Sequence, residues 1–306
     1  MKAKQKPELG LPQPMADWSF EAIGTHWWIG VYEPVGSNAL ADMRRAVAER
    51  IEAFDKTYSW FRADSLVSRI AAEKGRYVFP EDSGTLFALY RALYDATDGA
   101  VTPLIGQLLS DAGYDAAYSL KPGALHEVPA WDDVMTYRDG ELTTKEPVLL
   151  DFGAAGKGYL VDIIANELQS AGVDRFCVDA GGDMVCRGLA RSLRIGLEHP
   201  DDTAQVIGVV EVQDGALCGS AGNRRAWAGY HHVMDPRTLE SARDVKAVWV
   251  SAADGLTADG LATALFFTTP AELLNRFKFE YVIIAADDSV AVSPDFPGKL
   301  FTESAH

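Results

Sequence analysis

The apolar residues of this chain change their period partway along it, and that change limits the available folds more than any other feature. Early on they recur at steps of three and four. Leu40, Met43, Val47, Ile51 and Phe54 follow the candidate N-caps Ser37 and Asn38. Leu86, Phe87, Tyr90, Leu93 and Tyr94 repeat the pattern over 85–98. A third amphipathic run after Gly156 turns Leu160, Ile163, Ile164 and Leu168 inward and stops at Gly172. These are helical spacings with recognisable ends. Beyond them, short β-type runs dominate, at 176–179, 193–197, 206–212, 245–250 and 281–286, broken by one helical stretch at 258–267. One earlier strand is expected over 25–32, closed by Pro34 and Gly36. Helices first and strands later predict an α+β fold rather than regular β-α alternation. Residues 1–17 read as a polar tail ahead of one body over 18–306. The connection at 121–147, with a short hairpin around Asp139-Gly140, is the candidate boundary inside that body.

Charge narrows the partners. The sequence has 28 Lys and Arg against 44 Asp and Glu, a net charge of −16, which opposes nucleic-acid backbones. A phosphate-bearing ligand would need a local cation, either a metal or a placed lysine. The three cysteines, Cys177, Cys186 and Cys218, show no Cys-x-x-Cys spacing and read as buried thiols. Lys2, Lys4 and Lys6 begin a basic N-terminus, but Glu8, Pro12, Pro14 and Asp17 interrupt any apolar stretch after it. No signal peptide or lipobox is seen, no apolar run reaches the ~20 residues of a membrane span, and a cytoplasmic location is expected.

Five segments can carry chemistry. The densest is Asp151-Phe152-Gly153-Ala154-Ala155-Gly156-Lys157-Gly158-Tyr159, a glycine-rich turn between the apolar run 148–150 and a helix start. Small residues let backbone N–H groups approach an anion, and Lys157 is the placed cation. The spacing is that of neither a Walker A loop nor a Rossmann turn. The second pairs Asp259 with Thr263, at i and i+4 on one helix face, where carboxylate and hydroxyl oxygens suit a hard cation such as Mg²⁺. The same pair could instead be a helix cap and a threonine bonded to its own backbone. The third is His231-His232 before Val233-Met234-Asp235-Pro236-Arg237. In an extended segment only one of the two histidines can face a given pocket. The fourth, Val178-Asp179-Ala180-Gly181-Gly182-Asp183, reads as a strand ending in a tight turn. The fifth, around Trp60-Phe61, places aromatic rings beside polar residues, where they could stack on a planar ligand or join the core.

Taken together and in order, these segments resemble the FAD:protein FMN transferase (ApbE) family. Gly24-Thr25, the 59–69 segment, Asp98-Gly99-Ala100 leading to Pro103, and the 151–159 turn all match its pattern. So do Ala180-Gly181-Gly182-Asp183, the 232–238 stretch and the 259–265 stretch. The resemblance covers nearly the whole chain. It implies a two-lobed α+β fold with a T-fold-like core and a flavin site between the lobes. It also implies a Mg²⁺-dependent reaction in which the FMN part of FAD passes to a Thr or Ser hydroxyl of an acceptor protein, with release of AMP.

Carried over by position, the resemblance gives Asp259, Thr263 and the main-chain oxygen of Ala154 as metal ligands. Asp151 and Lys157 become nucleotide contacts, as do Ala100, Val101 and Thr102. Phe61 becomes the ring that stacks on flavin, and Val233 and Met234 the apolar flavin contacts. His232 becomes the catalytic histidine, acting as base or as positioner. Two departures stand out: Val101-Thr102 replaces the usual Phe-Asp, and Leu239 stands where glycine is common. Rival expectations are a Mg²⁺-dependent FAD pyrophosphatase and a non-catalytic FAD-binding protein.

Overall fold

The computed structural model describes residues 13–301, apart from the side chains of Asn223 and Arg224. Its centre is one antiparallel sheet of eight strands. They are β1 (Ala16–Ala22), β2 (Thr25–Val31), β3 (Phe176–Ala180), β4 (Met184–Arg187), β5 (Gly215–Ala221), β6 (Val245–Ala252), β7 (Glu280–Ala285) and β8 (Val290–Val292). Each pairs with the next in chain order, so the sheet is a meander with long excursions between some neighbours. The excursion between β2 and β3 carries α1 (Ser37–Tyr58), α2 (Gly84–Ala96) and α3 (Gly156–Ser170). The one between β6 and β7 carries α4 (Gly255–Ala264).

Strand alternation splits the sheet into two faces. Trp27, Ile29, Val31, Phe176, Val178, Val185, Ala216, Cys218, Val248 and Val250 point toward the helices and form the main core with them. Cys177, Met184, Cys186, Leu217 and Val282 point the other way. There they meet a small sheet of strands Leu193–Glu198, Val206–Val212 and Gly298–Leu300, which adds Leu193, Leu197, Val210 and Val212 to a second, smaller core. The expected hairpin forms from strands Met135–Arg138 and Glu141–Thr144, with both Asp139 and Gly140 at positive φ. Met135 and Leu142 of this hairpin, with Trp131 and Val134 before it, pack into the main core.

Three expectations change. Residues 1–12 of the anticipated tail lie outside the described residues, but Ala16 and Asp17 belong to β1, paired with Val31 and Gly30. Backbone pairing with β2 holds them where composition alone read only a polar segment. The helix expected over 258–267 starts at Gly255, because Asp254 caps it by accepting the Thr257 N–H at 2.7 Å. Asp259 therefore sits inside the helix and not at an exposed start. Strand β5, Gly-Ala-Leu-Cys-Gly-Ser-Ala, has no β-branched residue to signal it; its neighbours β4 and β6 hold it in place.

Candidate active site

The site grows from the crossing of α3 and α4. A Cβ on Gly158 would lie 2.1 Å from the Gly255 carbonyl oxygen and 2.6 Å from Asp259 Cβ, so only glycine allows this approach. By contrast, a Cβ on Gly156 would meet only ordinary neighbours, Phe152 at 3.6 Å and Phe54 at 3.9 Å. The close contact that the glycine-rich turn provides is thus at Gly158. Asp162 of α3 fastens the crossing by accepting the N–H groups of Gly255 at 2.8 Å and Leu256 at 2.7 Å.

This crossing sets Asp259 and Thr263 against the 151–157 turn. Asp259 is 2% exposed and its Oδ2 accepts the Gly158 N–H at 2.9 Å. Thr263 Oγ1 donates to the Ala154 carbonyl oxygen at 3.2 Å. Lys157 Nζ pairs with Asp183 and lies 3.8 Å from Asp259 Oδ1. Asp183 comes from the β3–β4 hairpin, where Gly181 and Gly182 both adopt positive φ. A Cβ on Gly181 would fall 2.0 Å from Thr25 Oγ1, which brings the Gly24-Thr25 and Gly181-Gly182 segments together.

The electrostatics follow from burial. Burial pushes the Asp259 carboxyl up, and Asp183 adds to this while Lys157 opposes it. Burial works against the Lys157 ammonium, but Asp183 and Asp259 outweigh it and hold the lysine above its ordinary range. Asp183 is 2% exposed, and its Oδ1 has no hydrogen-bond partner. Two carboxylates around one ammonium leave a buried excess of negative charge, with an orphaned acceptor beside it.

That arrangement fits a hard divalent cation. The available donors are a carboxylate, a hydroxyl and a main-chain carbonyl, all oxygens of the kind Mg²⁺ prefers. Among the described residues no cluster of three or more His, Cys, Asp or Glu is placed to hold a metal, so a site here depends on the Ala154 carbonyl and the Thr263 hydroxyl.

Around this cluster stand the remaining candidates. Asp151 Oδ1 accepts the Gly153 N–H and its Oδ2 accepts the Trp60 indole N–H, both at 2.7 Å. Burial raises its pKa, against these two bonds and the nearby Arg225 charge. The Asp151 N–H donates to the Pro103 carbonyl at 2.8 Å, tying the turn to the 97–103 segment. Phe61 packs against Trp60, stacks with Tyr118 at a centroid distance of 5.2 Å, and meets Tyr114 edge-on at 5.5 Å.

The two histidines have different settings. His231 Nε2 lies 2.6 Å from the Ala242 carbonyl and its Nδ1 accepts the Val233 N–H at 3.3 Å, so both ring nitrogens serve the local backbone. His232 Nδ1 is buried with no hydrogen-bond partner. Burial, with the charges of Arg225, His231 and Lys157, pushes its pKa down to about 3, so the ring is neutral.

Direct bonds bring Ala154, Lys157, Asp259 and Thr263 together, and Asp151 stands at the start of the same turn. Other expected contacts are less open. Ala100, Val101 and Thr102 are buried, and the Ala100 and Val101 amides donate to Thr97. Thr102 Oγ1 caps the following turn by accepting the Leu104 N–H at 3.2 Å. Val233 and Met234 are 4% and 3% exposed within the main core. Arg237 chelates Asp235 and donates to the Thr97 carbonyl at 3.1 Å, which holds the 232–238 stretch against the 97–103 segment.

Residue-by-residue reading missed three contributors. Asp183 was legible by parity, since it shares the face of Val185. Arg225, whose Nη1 donates to Tyr114 at 2.9 Å, carried no sequence signal. Tyr90 was legible only as an inward-facing helix residue; its buried hydroxyl feels the charges of Asp151 and Asp259.

Several known proteins resemble this chain in sequence and fold. FAD:protein FMN transferase of Vibrio cholerae is 27% identical over 278 residues, covering 83% of this chain and 81% of that protein. The Treponema pallidum protein of the same name is also 27% identical, covering 90% and 80%. The crystal structure of the ApbE protein from Thermotoga maritima superposes with a TM-score of 0.78 at 24% identity, over 91% of this chain and 97% of that one. The flavin transferase ApbE from Vibrio cholerae gives 0.76 at 22% identity, over 92% and 97%. The ApbE family profile matches residues 23–283, and the chain belongs to that family.

Proposed function

We propose that this protein transfers the FMN part of FAD to a Thr or Ser hydroxyl of an acceptor protein, releasing AMP, with Mg²⁺ bound. The observation that carries this reading is the part-buried oxygen cluster of Asp259, Thr263 and the Ala154 carbonyl beside the Lys157–Asp183 pair. It lies in a member of a family whose curated relatives are named for the reaction.

Asp259, Thr263 and the Ala154 carbonyl would hold the cation, which when bound supplies charge neutralisation to a pyrophosphate. Lys157, fixed by Asp183, adds a second positive charge aimed at phosphate. Asp151, held by Trp60 and the Gly153 N–H, contacts the nucleotide. Phe61 offers a ring for stacking, Val233 and Met234 form an apolar flank, and the 100–102 turn lines the same site. His232 is neutral and its buried Nδ1 is unpaired, so it can accept the proton of the attacking hydroxyl or hold it in line.

The test is incubation with FAD, Mg²⁺ and candidate acceptor proteins, read by mass spectrometry of both proteins and by AMP release. An FMN adduct on Thr or Ser of the acceptor, abolished by EDTA, is the expected result. Free FMN and AMP with no adduct would make the protein a pyrophosphatase. FAD retained with no AMP would make it a binding protein.

A further inference from the structure

Strands β3 and β4 pair with Cys177 directly opposite Cys186 and Val178 opposite Val185. At the end of this hairpin the Ala180 N–H donates to the Asp183 carbonyl at 2.8 Å. Antiparallel ladders alternate hydrogen-bonded and non-hydrogen-bonded pairs. Counting back from the bonded pair Ala180/Asp183, Asp179/Met184 is non-bonded, Val178/Val185 is bonded and Cys177/Cys186 is non-bonded. Facing Cα atoms at such a position lie about 4.5 Å apart, inside the span of roughly 4.4–6.8 Å that a disulfide bridges. The two Sγ atoms are 3.0 Å apart. Both side chains are fully buried in the second core, with Met184, Leu193 and Val282.

We propose that Cys177 and Cys186 are an oxidation site that forms an intrachain disulfide by exchange with a low-molecular-weight disulfide. One cysteine gives its proton to solvent, and its thiolate attacks a sulfur of the small disulfide and expels one small thiolate. The second cysteine, likewise deprotonated, attacks the protein sulfur of the mixed disulfide and expels the other. One protein S–S bond forms, the small disulfide is reduced to two thiols, and the protons balance. Because neither sulfur is exposed, exchange proceeds while the hairpin is open, and the closed hairpin then shields the bond. The ring so closed ends three residues from Asp183, so it ties down the tip that delivers this carboxylate to Lys157. Cys218 takes no part. It faces the helices, with its Sγ 3.7 Å from the Gly255 carbonyl oxygen.

The full chain is equilibrated in mixtures of oxidised and reduced glutathione, once in buffer and once in urea just below the unfolding transition. It is then denatured, alkylated and digested. The expected product is a Cys177–Cys186 cross-linked peptide, with Cys218 alkylated and the chain lighter by two hydrogens. The Tm should rise by about 4 °C or more, the gain expected for so short a closed loop. Cys186→Ser should remove both changes. Alkylation of all three thiols in both conditions at the most oxidising ratio would overturn the proposal. So would a bond to Cys218, or a cross-linked chain less stable than the reduced one.

Discussion

On its helical face the central sheet buries charge; on its other face it buries almost none. The helical side holds Asp183, Asp259 and Lys157 within a few ångströms of one another, with the orphaned Asp183 Oδ1 and His232 Nδ1 nearby. The opposite side packs Cys177, Met184, Cys186, Leu217 and Val282 against Leu193, Leu197 and Val210. Buried ionised groups cost stability unless each is paired, so concentrating them on one face leaves the other free to act as apolar ballast. The two faces share the same strands, which lets a stable far side hold a costly near side in place.

The comparison breaks most sharply at Asp259. Asp259→Asn keeps an acceptor for the Gly158 N–H but removes the anionic ligand. AMP release from FAD should fall by about 10²-fold or more, with Tm near that of the wild type. A folded variant with unchanged turnover would remove the metal assignment and leave the near face merely structural.

The adjacent histidines sharpen the contrast within one segment. His232→Ala should slow transfer by about 10²-fold at saturating FAD and Mg²⁺, with FAD affinity little changed. His231→Ala should keep the rate within a few-fold but cost about 1–2 kcal/mol of stability, because it strips partners from the Ala242 carbonyl and the Val233 N–H. The direction of the His232 shift adds a pH signature. Its folded pKa lies below that of the unfolded chain, so protonation favours unfolding. The stability it contributes is complete above about pH 6.5 and is lost progressively as pH falls toward 3. His232→Gln should flatten the Tm profile in that acidic window, and the wild-type rate should show no loss of base near pH 6.5.

On the far face, Leu217→Ala should lower stability by about 2–5 kcal/mol in urea titration, with the rate per folded molecule unchanged. A large rate loss there would show that the two faces are coupled through β5. The smallest effect is expected at the rim. Trp60→Phe removes one hydrogen bond to Asp151 and should weaken FAD binding by about 1 kcal/mol by calorimetry.

The period change read along the sequence anticipates the α+β class, the three early helices and four of the eight strands of the central sheet, β2, β3, β6 and β7. The Asp139-Gly140 turn also forms where it was read, because two residues at positive φ favour those types. Other elements carry no local signal. β5 lacks the residues that mark a strand, and Ala16 and Asp17 are held by a partner strand rather than by their own propensity.

Within the site, the i, i+4 spacing fixes Asp259 and Thr263 on one helix face, and local chemistry alone makes the 151–159 turn tight and able to seat a lysine. What covers those groups is not a local property. The sequence separates Lys157 from Asp183 by the rest of α3, strand β3 and a hairpin turn, and Thr263 from Ala154 by half of the strands of the central sheet. Only the α3–α4 crossing at Gly158 and the β3–β4 pairing bring these groups within bonding distance. The same is true of the histidines. Alternation says that the two differ, but the Ala242 carbonyl, eleven residues beyond His231, decides that His231 is the one held by the backbone. Spacing along one element is set by covalent geometry and can be read from sequence. Burial and pairing depend on which distant segment arrives, and the free energy of the whole packed chain decides that.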